Sequence, residues 1–326
     1  MIDLSMLPAP EVLEALDFET TYQEVLADFR LQMGDQWSAQ LESDPVVKLL
    51  EVAAYQKMLG RARVNDAAKS SLLAYAQRTD LDNRAADYGV QRLTIVPADP
   101  DAIPPVAAVT ESDSALRYRT RLSLEGLSVA GSRGAYEFHG LSASANVANI
   151  SVDSPTFKGV VVSEAIRAQL PPGAIVVVCD YDAGLADPLP GDVSLAVLPI
   201  LNSAVPDGEL VKTVLLGLSA EDVRPLTDRP RAQLGKPTVF QVTATLELES
   251  GPDPAVVLKA SRAGLDTAIA DARRLEGELP LSAIYAALHV SGVRRVRLNS
   301  PLADVVCDKR HYPSCTGIVL TPQVVT

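Results

Sequence analysis

Aromatic residues are scarce in this chain: one Trp, five Phe and nine Tyr make up 5% of its 326 residues. Its cores must therefore be aliphatic, and the abundant Ala, Val and Leu suit slim helices packed closely on one another and on small sheets. Histidine is scarcer still, at three, so few imidazoles exist to act as general bases or metal ligands. Cysteine is odd in number, and Cys179, Cys307 and Cys315 lie far apart. Reduced thiols fit that spacing better than a disulfide framework, and no obligatory disulfide is expected. Positive charge is also short, 29 basic residues against 41 acidic ones, for a net charge of −12. That balance repels nucleic acid and anionic lipid and argues against a DNA-binding role. No run approaches the ~18 apolar residues of a membrane span. The first ten residues lack the basic start and apolar core of a signal peptide, so synthesis in the cytosol is expected.

What remains is an ordinary globular composition, 47% hydrophobic and 21% charged, unlike that of disordered or fibrous chains. The length is about twice that of a common single domain, and two or three packed units are expected. Phe18, Tyr22, Val25, Leu26, Phe29 and Met33 recur at helical spacing and predict an amphipathic helix of roughly four turns. Ser43, Asp44 and Pro45 supply a cap and a first-turn proline for a second helix, with no breaker before the isolated Gly60. If it runs to Ala76 it is roughly 48 Å long, at ~1.5 Å per residue. A helix of that length needs partners to cover it. A short third helix is read from Asp80 as cap to Gly89 as terminator. Four prolines within residues 96–105 then predict a stiff, extended linker, followed by a helix capped by Ser112 or Asp113 and reaching Leu124.

Beyond a helix at 135–143, residues 147–152, 175–179 and 193–198 are rich in β-branched side chains and bounded by turn formers, as strands are. Residues 207–218 carry an apolar helical stripe that would cover them. Phe240, Val242, Ala244, Leu246 and Leu248 alternate with polar residues and predict a strand with one wet face. A turn at residues 251–254 leads into a helix to Ala272, then a shorter helix at 281–289, a strand at 293–298 and another near 318–320. The fold class is α+β: an amino-terminal helical section followed by two small mixed α/β domains. The boundaries read as a helical partner-binding section at 1–95, a proline-rich linker and connecting helix at 96–133, a middle α+β domain at 134–232 and a carboxy-terminal α+β domain at 233–326.

Patterns that carry chemistry are weak. Gly126 and Gly131 have the gap of a phosphate loop, but Ser132 stands where the motif needs Lys. Residues 126–130 nearly spell a hydrolase nucleophile elbow around Ser128, yet the last glycine is Ala130 and no strand precedes it; Ser128 reads as a helix-end hydroxyl. His289, His311, Cys307 and Cys315 lack zinc-ligand spacing. Glu276 and Glu278 flank Gly277 and read as solvated carboxylates. Arg294, Arg295 and Arg297 form the densest basic cluster, on a strand whose alternation puts Arg295 and Arg297 on one side. They read first as a solvated edge that discourages strand pairing and second as a salt-bridged protein contact. No catalytic, cofactor or metal residue is assigned, and Arg295 and Arg297 are the candidate interface residues.

Several short stretches occur in one order along about 260 residues: 45–51 (Pro-Val-Val-Lys-Leu-Leu-Glu), 63–68 (Arg-Val-Asn-Asp-Ala-Ala), 80–82, 97–100, 111–113, 125–131 (Glu-Gly-Leu-Ser-Val-Ala-Gly), 134–136, 221–229 (Glu-Asp-Val-Arg-Pro-Leu-Thr-Asp-Arg), 282–290 and 300–306. In these the chain resembles the baseplate J-like family of contractile-tailed phages and their headless relatives, the tailocins. It departs from that pattern at 157–191, which looks like extra sequence. The resemblance implies a scaffold and not an enzyme, present twice per baseplate wedge and clamped with a tail protein of the I family through a helical bundle. Its carboxy-terminal part would link wedges into a ring around the hub and spike, relaying the rearrangement that starts sheath contraction. The other partners implied are further copies of itself, hub and sheath components, with no nucleic acid and no membrane. The location implied is the bacterial host cytoplasm and then the assembled tail. An adaptor that binds a partner helix outside any particle, and remotely a hydrolase using Ser128, are the alternatives.

Overall fold

A computed structural model of the chain describes residues 6–8, 10–34, 37, 41–128, 131–249 and 253–324. The fold is α+β, with an amino-terminal helical region and small mixed sheets. It divides into two compact units, Met1–Arg92 with Ser112–Thr120, and Leu93–Glu111 with Arg121–Thr326.

In the first unit, α1 (Phe18–Met33) begins on Asp17, whose carboxylate accepts from the Thr20 amide at 2.7 Å. The second helix, α2 (Pro45–Ser70), begins on Asp44 with Pro45 in its first turn. The cap and proline do here what the sequence suggests. The two helices pack along Leu26, Val47, Leu50 and Ala54, all buried. A polar pin adds direction: the buried Asn65 amide donates to the Glu14 carbonyl at 2.8 Å and accepts from the Glu14 N–H at 3.0 Å. Arg61 holds Glu14 and Glu24, at 2.8 and 2.7 Å. The second helix stops at Ser70, short of Ala76, because Ser70 and Ser71 turn their hydroxyls back onto the carbonyls of Ala67 and Ala68, which competes with continuing the helix. The third helix, α3 (Arg78–Ala86), starts earlier than expected: Gln77 occupies the cap position and Asp80 lies in the first turn.

The prolines at 96–105 do not make an extended spacer. The strands β1 (Thr94–Val96) and β2 (Val109–Thr110) pair antiparallel, and Asp99 exchanges two backbone hydrogen bonds with Val106, both 2.9 Å. The Asp99 carboxylate accepts from the amides of Asp101 and Ala102, starting the reversal, as Asx turns do. Pro100, Pro104 and Pro105, which cannot donate to a ladder, lie between the paired residues. The chain then enters α4 (Asp113–Gly126), where Ser112 accepts from Ala115; its first half belongs to the first unit and its second half to the second.

The second unit continues through α5 (Arg133–Ala143), β3 (Val147–Asp153), β4 (Thr156–Gly159), α6 (Glu164–Arg167), β5 (Val177–Tyr181), β6 (Asp192–Pro199), α7 (Asp207–Leu218) and β7 (Arg229–Leu234). The central strand β6 runs antiparallel to β3 and parallel to β7. Ile150, Leu195, Val197, Leu210, Val214 and Leu218 make its core. The seventh strand, Arg-Pro-Arg-Ala-Gln-Leu, shows no alternation; it is held by charge. Arg229 and Arg231 reach the fully buried Asp192 carboxylate at 2.9 and 3.2 Å.

Around a second core lie β8 (Lys236–Leu248), α8 (Pro254–Ala272), β9 (Glu278–Leu279), α9 (Leu281–Leu288), β10 (Val293–Ser300), β11 (Val305–Val306) and β12 (His311–Val324). Gly251 and Pro252, read as a turn, lie outside the described residues. The thirteen-residue β8 is the middle strand, antiparallel to β10 and parallel to β12. Its apolar face is as the sequence predicts, with Val242, Ala244, Leu246 and Leu248 buried with residues of α8 and α9, but Glu247, expected on the wet face, is buried as well. The two helices approach so closely at Gly264 that a Cβ there would lie 2.7 Å from the Ala287 carbonyl oxygen.

Leu246→Ala removes a fully buried side chain from that core and should cost about 2–5 kcal/mol in urea unfolding; a loss under about 1 kcal/mol would mean that the site collapses freely. A second expectation concerns acid. The Arg229 hydrogen bond draws the Asp192 carboxyl down to about 2, against the opposing effect of burial. Its folded value thus lies below the ordinary 3.8, so its stabilisation is present above that value and fades as pH falls toward 2. Asp192→Asn should lower the urea midpoint at neutral pH and do so progressively less in acid; an equal loss at both would contradict the linkage.

Candidate interaction surfaces

The patterns with chemical potential fold into structural roles. Ser128 and His139 line one shallow crevice, but His139 Nε2 sits 3.0 Å from the Gly126 carbonyl oxygen. A carbonyl only accepts, so that nitrogen donates, and the bond ties the ring to the end of α4. Val129 and Ala130, part of both motif readings, lie outside the described residues. Among the described residues no three His, Cys, Asp or Glu side chains gather as a metal set would. His311 Nδ1 pairs instead with Asp308 at 2.6 Å, and the three thiols are free, Cys307 being pushed up by burial.

Glu276 is exposed, as expected of a solvated carboxylate, but it is also held by partners. It holds a left-handed φ of +58°, a conformation costly for a residue with a Cβ. Its N–H donates to the carbonyls of Asp308 and His311. Its carboxylate accepts from Arg133 at 2.6 Å and from Ser151 at 2.9 Å, joining residues 143 and 125 positions away. Next to it, the Leu275 amide donates to Asn149, and the Leu275 side chain packs on Ala196, Leu198 and Tyr312. Arg273 donates to the Pro199 carbonyl and lies over the Tyr312 ring. Lys309 reaches Asp153 at 2.8 Å, where Tyr181 also donates. Burial pushes the Asp153 carboxyl up, but these two partners leave it below the usual range. The elements around β6 and those around β8 are thereby joined through a mixed apolar and polar seam. Nothing local in the sequence marks Glu276, Arg133 and Asn149 as its residues.

Arg295 and Arg297 are on one face of β10, as alternation requires, and remain 64% and 58% exposed. Both point toward Glu247 on β8, Arg297 in direct contact and Arg295 at 4.0 Å; the Glu247 side chain is only 9% exposed. The pair therefore neutralises a carboxylate of its own sheet and still presents guanidinium surface on an edge strand. A second surface is apolar. Along α2, Leu49, Val52, Tyr55 and Leu59 are exposed, Leu49 at 67%. They follow one another at three and four residues, the spacing of a face that packs on another helix.

Two family models match the chain: the Baseplate J-like N-terminal domain over residues 42–99 and the Baseplate J-like protein C-terminal domain over residues 240–321. The first spans α2 and the second spans the arginine pair. The chain is 42% identical to the "Baseplate protein J" of Escherichia phage P2 over 322 residues, covering 97% of this chain and 96% of that protein. Of solved structures, a chain of the anti-feeding prophage baseplate, imaged by cryo-EM with six-fold symmetrisation, aligns with 94% of this chain at 11% identity. This chain covers 54% of that one, and the TM-score of 0.26 is too low to carry a likeness of fold.

If Arg297 serves its own sheet, Arg297→Glu places a second carboxylate beside the nearly buried Glu247 and should lower the thermal midpoint more than Arg297→Ala does. Added salt should narrow the difference. Identical midpoints for the two variants would show that Arg297 leaves Glu247 electrostatically untouched.

Proposed function

The chain belongs to the baseplate J-like family, and from that premise we propose that it is a structural subunit of the baseplate of a contractile phage-type tail, in a phage or a tailocin. The observation that carries this reading is 42% identity over 97% of the chain to a phage baseplate protein. In finer detail, the chain acts as a wedge component. The exposed stripe of Leu49, Val52, Tyr55 and Leu59 on α2 is suited to a helical bundle, and the partner proposed for it is a tail protein of the I family. Covering such a stripe removes apolar surface from water, at about 25 cal/mol per Å². The carboxy-terminal section, residues 233–326, joins one wedge to the next around the hub, with Arg295 and Arg297 facing an acidic neighbour. Opening of that ring then starts sheath contraction, which requires two stable arrangements of one interface. The chain is made in the host cytoplasm and is incorporated into the particle. Its role is mechanical, through contacts rather than turnover.

Purified particles should contain the chain, and cells lacking it should make no complete baseplates. Arg295→Glu, whose native guanidinium stands off Glu247 at 4.0 Å, should cost less stability than Arg297→Glu and still fold, and should yield folded wedges that do not close into rings. Complete rings at normal yield from Arg295→Glu would remove Arg295 from the interface. Particles that assemble and contract without the chain would remove the baseplate role itself.

A further inference from the structure

Residues 156–181 form an arm with no core. The strands β4 and β5 pair only with each other, their ladder extended by the Val160 amide donating to Val176 at 2.9 Å. No residue between Asp153 and Asp182 is buried. Val161 and Ile175 are 94% and 83% exposed, with Val160, Ile166, Val177 and Val178 exposed beside them. A two-stranded ribbon is marginal in water without a covering layer. The base of this one is nonetheless fixed, because Ala183 is buried and its carbonyl accepts from Ser194.

Charge and edge chemistry say what covers it. The arm carries Lys158, Glu164, Arg167 and Asp180, two of each sign, and Lys158 spends its charge on Asp180 at 2.7 Å. It is thus electrically neutral on a chain of net charge −12, so two copies can approach there without the repulsion that acts between them elsewhere. The two free edges differ. Gly159 weakens the β4 edge, whereas β5 reads Val-Val-Cys-Asp-Tyr, with no glycine or proline and with its one charge, Asp180, paired to Lys158. A lipid occupant is disfavoured, since unpaired strand edges cannot be satisfied in hydrocarbon.

We propose that the arm is a self-association element, in which the edge of β5 pairs antiparallel with β5 of a second copy about a two-fold axis at Cys179, the middle residue of the strand. Two ribbons become one four-stranded sheet, Val177 of each copy faces Tyr181 of the other, and each Asp180 keeps its own Lys158. The interface is small, so association is weak and concentration-dependent. This proposal is independent of the baseplate reading, because a monomeric chain can serve in a particle and a self-associating one needs no particle.

Sedimentation of the purified chain across a concentration series should show a mass rising from 34.6 kDa toward twice that value. The double variant Ile175→Asp, Val177→Asp should stay at the mass of one chain with an unchanged thermal midpoint, since neither residue is buried. A short bis-maleimide should join two copies of the wild type, and Cys179→Ser should abolish the product. A single-chain mass at every concentration overturns the proposal, as does a dimer that the double variant leaves intact or a cross-link that survives Cys179→Ser. Wild type that stays monomeric but co-sediments with phosphatidylcholine vesicles, and loses that binding in the double variant, would assign the arm to lipid and also overturn it.

Discussion

When α8 ends at Ala272, the chain has to bring Leu275 into the apolar patch of β6 and aim the Glu276 carboxylate at Arg133 and Ser151, all within a few residues. It does so by letting Glu276 adopt a left-handed backbone. The cost, of order 1–3 kcal/mol for such a residue, is offset by backbone bonds to Asp308 and His311 and by two donors to the carboxylate. The next position has to be glycine, because a Cβ at Gly277 would come within 2.3 Å of the Ala272 carbonyl oxygen and 2.5 Å of that of Arg274. The seam between the two cores of the second unit runs through this turn, beside the Arg273 bond to Pro199 and the Lys309–Asp153 pair.

Legibility follows the range over which each element is determined. The alternation of β8 and the stripe of α7 state their burial locally, and the structure buries Val242, Ala244, Leu246, Leu210, Val214 and Leu218 accordingly. The strand β7 was invisible because its register is set by Asp192, nearly forty residues upstream. The prolines at 96–105 were legible as non-helical, but whether they extend or reverse is decided by two backbone bonds of Asp99 and its carboxylate. The shared face of Arg295 and Arg297 followed from strand period. Their partner Glu247 did not, since it depends on how β10 registers against β8. The Glu276 seam joins residues more than a hundred positions apart, and no periodicity reports that.

The exposed surfaces differ in kind. On α2 the exposed apolar residues stand on a helix whose other side is packed against α1. The arm at 156–181 has neither face covered. The arginine pair is half committed, drawn to Glu247 yet more than half exposed. Its carboxylate partner is nearly buried, so the pair is neither a free surface charge nor a fully enclosed one.

The parallel pairing of β12 with β8 also has a meaning in time. Synthesis delivers β8 before its flanking strand β12, with α8, α9 and β10 between them. Until His311–Val324 emerges, β8 keeps one edge open, and the sheet closes only through a contact of long sequence separation, which is slow to form. A nascent chain released before that point would carry an open edge along its central strand, able to capture foreign strands. The central strand thus gains its second neighbour only from residues that follow it after two helices and another long strand.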